Sequence, residues 1–258
     1  MIESLDHIAL SVTPREAGIR AYETLLGRRA EGGSLGLANM RLELNEAAGE
    51  DGLSKLAFAV RDLAKAHNLL ERRALPVAPA AGVLDLALPA THGVPIKLVA
   101  SRTPGSEPGS PLAAGDGRAA VLGLDHVVIR SPNPERAIAL YAGRLGLSLR
   151  LDRTEPAWGM RLVFFRCGDL IVEVAHDLKA GIGDGPDSFW GLSWRVPDIA
   201  AAHSRLGAAG VDVSDIRAGR RPGTRVFTVK SHTCGVPTLM IGHSPRDIAL
   251  PSHPLDAT

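Results

Sequence analysis

A chain of 258 residues with a net charge of +1 is long enough for two ordinary domains, and its interspersed charges argue against a nucleic-acid or anionic-membrane partner, which would meet a basic stripe. Its two cysteines, Cys167 and Cys234, form neither a zinc spacing nor a disulfide framework, so a reducing compartment is the simple reading. No secretory pattern opens the sequence and no apolar run approaches the roughly 18 residues of a membrane span, so a soluble cytoplasmic protein is expected.

Residues 5–12 are a short, mostly apolar strand. Residues 14–26 follow with helical spacing, Ala17, Ile19, Ala21, Tyr22, Leu25 and Leu26 sharing one broad face, and Gly27 supplies the stop. In 39–44, Arg41 and Glu43 alternate with Met40, Leu42 and Leu44, which is strand period. Residues 56–60 begin a new strand and 62–73 a new helix, striped with Leu63, Ala66, Leu69 and Leu70. Strands at 83–88 and 94–99 finish the first half. Residues 102–119, rich in Pro, Gly and Ser, read as a linker.

The second half repeats this plan. Residues 126–130 are a strand, and Ser131-Pro132-Asn133-Pro134-Glu135 is a helix start with Pro tolerated in the first turn. Residues 160–165 and 170–175 make a hairpin around Cys167-Gly168-Asp169. A strand at 192–196, a helix at 198–209 and strands at 225–230 and 238–241 close the half. Residues 244–258, with three prolines, read as a surface tail.

The repetition is in the letters as well as the plan. Leu5-Asp6-His7 through Gly27 recurs without a gap as Leu124-Asp125-His126 through Gly146, sharing Tyr22/Tyr141 and Leu26/Leu145. Between the later parts of the two halves, Leu56/Leu192, Val60/Val196, Asp62/Asp198 and His67/His203 also register, and Gly93-Val94-Pro95 returns as Gly235-Val236-Pro237. The expected fold is therefore α+β: four βαβββ modules in two tandem domains, 1–101 and 120–243, each a curved mixed sheet forming a cup with its helices outside.

With Leu-Asp-His opening a strand and a strand-borne Glu closing the module, the chain resembles the vicinal-oxygen-chelate superfamily of glyoxalases, bleomycin-resistance proteins and extradiol dioxygenases. The resemblance implies tandem glyoxalase-like domains. It also implies a divalent ion (Zn, Mn, Ni or Fe(II)) held by first-strand and last-strand ligands, chelating an oxygen-rich small molecule. Carried over position by position, module one offers His7 and Glu43, and module three offers His126 and Glu173. Module two has Lys55 and Lys97 at the same places. Module four has Gly191 and Leu239, or Met240 if the register slips by one. Each domain keeps half a ligand set. An ammonium cannot ligate at neutral pH, so the N-terminal cup is expected to be metal-free, with Lys55 or Lys97 pairing with Glu43. In the C-terminal cup, His126 and Glu173 are a two-point metal grip or an acid–base pair, and His176, His232 and His243 are candidates for a missing ligand. The structural alternative for each His–Glu pair is an inherited hydrogen bond, favoured for His7 and Glu43.

Around that cup, Trp158, Trp190 and Trp194 read either as core or as an aromatic lining, and Arg221, within the Arg217–Arg225 cluster, either as a solvated face or as a carboxylate clamp. His232 is a secondary ligand-contact candidate, whereas His67 and His203 read as packing. The functional expectation is a protein of this superfamily acting on an oxygen-rich small molecule in the C-terminal cup. The alternative is a metal-independent binder that sequesters its ligand. A homodimer is left open.

Overall fold

The computed structural model describes residues 1–47, 49–80, 82–101 and 117–243. Most of the expected linker and all of the tail lie outside them. The first half contains β1 (Ile2–Val12), α1 (Arg15–Leu26), β2 (Ser34–Gly36), β3 (Arg41–Glu46), β4 (Gly52–Val60), α2 (Leu63–Arg72), β5 (Val77–Ala80), β6 (Val83–Leu86) and β7 (Ile96–Ala100). The second contains β8 (Gly123–Arg130), α3 (Pro134–Ile138), β9 (Ser148–Glu155), β10 (Met160–Cys167), β11 (Leu170–Asp177), β12 (Ser188–Val196), α4 (Ile199–Ala208), β13 (Arg217–Ala218), β14 (Thr224–Val229) and β15 (Thr238–His243).

These strands build two mixed sheets. A seven-stranded sheet runs β2-β3-β1-β4-β7-β6-β5, and an eight-stranded one runs β13-β14-β15-β12-β8-β11-β10-β9. In each, the opening strands of two modules lie antiparallel at the centre, β1 beside β4 and β8 beside β12. Each module's last strand lies parallel to its first. This is the tandem two-domain α+β architecture expected from the repeats. Among the described residues, no helix is long and apolar enough to cross a membrane.

Local chemistry sets the helix ends. Gly27 takes a left-handed φ of 66° and its N–H caps the Glu23 carbonyl, which closes α1. The side chains of Asp62, Asn133 and Asp198 accept backbone N–H groups at the starts of α2, α3 and α4. α3 continues as a π-helical stretch, Ala139–Arg144. One face of each sheet buries its apolar residues against these helices. In the second half, Tyr141 and Phe165 are fully buried there, with rings 5.5 Å apart, and Val127 and Ile129 of β8 point to the same side by strand alternation. His126 and Val128 therefore point to the opposite, concave face.

The halves are joined by hydrogen bonds from buried and half-buried groups. Tyr22 donates to the Thr233 carbonyl at 3.1 Å, and Arg205 donates to the carbonyls of Thr24 and Leu25. Asn39 bridges the backbone of Leu124 in both directions. The Asp187 N–H donates to the His92 carbonyl at 2.7 Å. A cleft of about 430 Å³ separates Asp51–Ser54 and Gly93 from Asp187–Trp190 and the Gly235–Pro237 turn.

Candidate functional site

The strand registers fix which residues share the concave face of the second sheet. His126 pairs with Ser193 on β12 and with Ile171 on β11, and Glu173 pairs with Val128. Ser193 in turn pairs with Leu239 on β15. Leu239, not Met240, thus holds the place that Glu173 holds in module three, and Met240 is fully buried.

A β-bulge shapes the polar floor of this cup. Between Leu124 and His126 the register against β12 shifts by one residue, so Asp125 is extra. A bulge turns two successive side chains toward one side of the strand. The Asp125 carboxylate consequently reaches His126 Nδ1 at 3.1 Å. On the other side of the ring, Nε2 lies 2.7 Å from Ser193 Oγ and 3.4 Å from Glu173 Oε2. Burial opposes the charged form of His126. The Asp125 hydrogen bond and the charges of Glu173 and Asp125 outweigh it, and the histidine pKa is raised. Burial raises the Glu173 carboxyl, with the charges of His126 and Arg220 working against it. The pair therefore holds protons more tightly than free side chains would.

A cationic rim stands over this floor. The Arg220 guanidinium lies 4.2 Å from the centre of the Trp158 ring, and Arg153 lies 5.4 Å from it. Arg153 also pairs with Glu155. Trp158 is 40% exposed, unusual for so large a ring. Of the arginine cluster it is Arg220, not Arg221, that reaches the Trp158 ring. Arg221 is exposed, and its carbonyl accepts from Thr224 to close the turn.

Two expected contacts are not brought to the cup. Trp194 is fully buried in the core, because strand alternation turns it away from the face that Ser193 occupies. His232 sits on an exposed loop and meets Ser231. Trp190 lines the cleft between the halves, with Arg130 stacked 4.1 Å above its ring. His176 is buried against the Ser131 carbonyl. His203 bonds the Ser214 carbonyl and packs edge-on against Phe227, the packing role expected of it.

The first sheet repeats the motif with one change. A bulge at Asp6 again lets the carboxylate reach His7 Nδ1, at 2.6 Å, and Glu43 Oε2 lies 3.4 Å from Nε2. The residue paired with His7 on β4 is Ala57, which has no hydroxyl. The cation beside Glu43 is Arg41, at 3.6 Å, and Arg41 also pairs with Asp6 at 2.8 Å. The pairing expected from Lys55 or Lys97 is not formed. Arg41 is two residues from Glu43 on the same strand, and so lies on its face.

A divalent ion needs at least three donors converging on one point. In the second cup the module-four positions are Gly191 and Leu239, neither with a donor side chain. Among the described residues, no group of three His, Cys, Asp or Glu side chains is placed to hold a metal ion. The backbone has also closed over Gly191: a Cβ there would lie 2.5 Å from the Pro237 carbonyl oxygen. The sequence points to His126 and Glu173 and to an arginine cluster that contains Arg220; the structure adds Asp125 and Ser193 beside His126. The repeated Leu-Asp-His motif carried the signal for Asp125. Ser193 is visible only through strand register.

Comparison with known proteins places this geometry in context. The family model described as the glyoxalase/bleomycin resistance protein/dioxygenase superfamily matches residues 125–228. An ethylmalonyl-CoA/methylmalonyl-CoA epimerase of Cereibacter sphaeroides is 31% identical over 97 residues, covering 35% of this chain and 72% of that protein. Among solved structures, a halotolerant catechol dioxygenase superimposes with a TM-score of 0.68 at 17% identity, covering 94% of this chain and 87% of its own. A Mn(II)-bound glyoxalase from Novosphingobium aromaticivorans gives 0.68 at 14% identity, covering 93% and 82%. A 4-hydroxymandelate synthase variant from Streptomyces coelicolor gives 0.71 at 14% identity, covering 95% and 93%. At these identities the solved structures speak for the fold alone.

Proposed function

Because the chain belongs to the glyoxalase/bleomycin resistance protein/dioxygenase superfamily, we propose that its C-terminal cup takes an oxygen-rich, anionic small molecule and acts on it without a metal ion. The observation that carries this reading is the environment of His126 Nε2. The nitrogen that would face a metal is engaged by Ser193 Oγ at 2.7 Å, with Glu173 at 3.4 Å. Two donors with no third do not fit a divalent cation, and a serine hydroxyl is a poor replacement for a carboxylate or imidazole. Zn, Mn, Ni and Fe(II) are all excluded on this reading, because each needs the position held by Gly191 or Leu239.

The chain's own residues supply the alternatives. Arg220 and Arg153 beside Trp158 offer charge and a flat apolar face to a carboxylate-bearing ligand. His126 and Glu173, each with its pKa raised by its surroundings, hold and move a proton at a ligand oxygen on the floor of the cup. The metal-independent binder is the second reading. The rim favours it, since recognition by Arg220 and Trp158 needs no proton transfer.

The test is a thermal-shift and calorimetric screen of small hydroxy and aromatic acids against the full chain, with and without added Mn²⁺. The expected result is ligands whose binding is independent of Mn²⁺, lost in His126→Ala, weakened in Arg220→Ala and unchanged in His7→Ala. Binding that requires Mn²⁺, or that follows His7 rather than His126, contradicts the assignment.

A further inference from the structure

The floor of the C-terminal cup contains an arrangement that proton transfer alone does not need. Asp125 Oδ2 lies 3.1 Å from His126 Nδ1, and Ser193 Oγ lies 2.7 Å from His126 Nε2. A carboxylate holds one ring nitrogen and a hydroxyl meets the other. The bulge at Asp125 and the β8–β12 register bring the three together from two strands. We propose that Asp125, His126 and Ser193 form a nucleophile relay, with Ser193 as the attacking group in hydrolysis of an ester of a small anionic acid.

The first domain provides an internal comparison. It keeps the Asp–His pair, with Asp6 at 2.6 Å from His7 Nδ1, but has Ala57 where the second has Ser193. His7 Nε2 meets the Glu43 carboxylate at 3.4 Å and no hydroxyl. An inherited structural hydrogen bond therefore accounts for Asp–His in both domains and leaves the serine unexplained. In the second domain the hydroxyl arrives at the one nitrogen where a base can take its proton.

The geometry assigns each group a role. Asp125 holds the Nδ1 proton, so Nε2 accepts from Ser193. As Oγ bonds to the ester carbonyl carbon, its proton passes to Nε2. Glu173, beside the same nitrogen, and Asp125 stabilise the imidazolium. When the C–O bond to the alcohol breaks, the leaving alkoxide takes that proton. Water then attacks the acyl-serine and gives its proton to Nε2. The C–Oγ bond breaks and Oγ recovers the proton. Ester and water become acid and alcohol, with no oxidant and no metal. Arg220, on the rim, fits the anionic group of the acid.

The inference rests on the C-terminal cup being the working site, and the test separates the two. The full chain is treated with a fluorophosphonate and, separately, with p-nitrophenyl acetate, followed by intact-mass and peptide analysis. The expected result is one modification, on Ser193, and a burst of p-nitrophenol. Ser193→Ala abolishes both, and folding is not at risk because Ala57 fills the equivalent place in the first sheet. Asp125→Asn slows acylation by a factor on the order of 10³–10⁴ while anionic-ligand binding at the rim persists. His7→Ala changes nothing. Absence of label on Ser193, or acylation of Ser193→Ala at the wild-type rate, overturns the relay. If ligand binding dependent on His126 survives that result, the cup reading stands without the nucleophile.

Discussion

At the scale of single residues, the second cup is defined by how two carboxylates and a hydroxyl share one imidazole. Glu173 and His126 both have raised pKa values, so the folded protein binds both protons more tightly than the unfolded chain. The stability they contribute is full below their usual values of 4.5 and 6.5 and is lost as pH rises through the folded values. Chemical denaturation from pH 5 to 8 is expected to show falling stability across this range, with a shallower fall in His126→Gln, which cannot titrate. A steeper fall in the variant would contradict the assignment. The rim makes a second prediction. Arg220→Ala removes the cation over Trp158 and the charge that partly offsets the burial of Glu173. It is expected to weaken anionic-ligand binding by about 10- to 100-fold, the range of one charge-assisted contact, with little change in folding stability because the residue is exposed.

At the scale of elements, the bulged opening strand and its register carry the chemistry. Gly191 makes the point sharply. A Cβ at that position meets the Pro237 carbonyl oxygen at 2.5 Å, too close for any real side chain. Gly191→Ala is therefore expected to cost about 1–3 kcal/mol through a backbone shift, read from the denaturation midpoint. A neutral substitution would show that the strand relaxes freely and that this ligand place is open after all. The sequence pattern reached the inner strands and missed the outer ones. β2, β5, β9 and β13 were not read from period, and all four are sheet edges. β2 and β13 are too short, at three and two residues, to show a period, and the brief Leu149/Leu151 alternation of β9 ends in a run of polar residues. β9 is almost wholly exposed, and β5 contains Pro79, which removes a ladder donor at little cost on an edge. His126 and Glu173 were legible because repeats align like with like. Ser193 was not, since its meeting with His126 depends on strand pairing across 67 residues. Arg220 and Arg221 are adjacent in an arginine-rich loop, and only the turn geometry tells which one reaches the tryptophan.

At the scale of the whole molecule, duplication produced two cups of the same plan that differ in the side chains on their floors. In the first, Asp6, His7, Arg41 and Glu43 form a closed charge cluster on a face where Ala57 offers no hydroxyl. In the second, the same histidine meets Ser193 beneath an arginine-rich rim. The halves depend on each other through contacts such as Arg205, whose guanidinium donates to the carbonyls of Ala119, Thr24 and Leu25. Arg205→Ala is expected to cost about 1.5–3 kcal/mol, the worth of hydrogen bonds to a partly buried charge, and to lower the cooperativity of unfolding between the halves. Two unchanged, coincident transitions by fluorescence and circular dichroism would argue against that coupling. The central claim is that this member of a superfamily with a Mn(II)-bound glyoxalase among its structural relatives works in its second cup without a metal. Elemental analysis of protein purified without chelator or metal-affinity resin, followed by titration with Zn²⁺, Mn²⁺, Ni²⁺ and Fe²⁺, tests it most directly. The account predicts far less than one equivalent of metal and no uptake that depends on His126. Near-stoichiometric metal in the wild type that is lost in His126→Ala would contradict it.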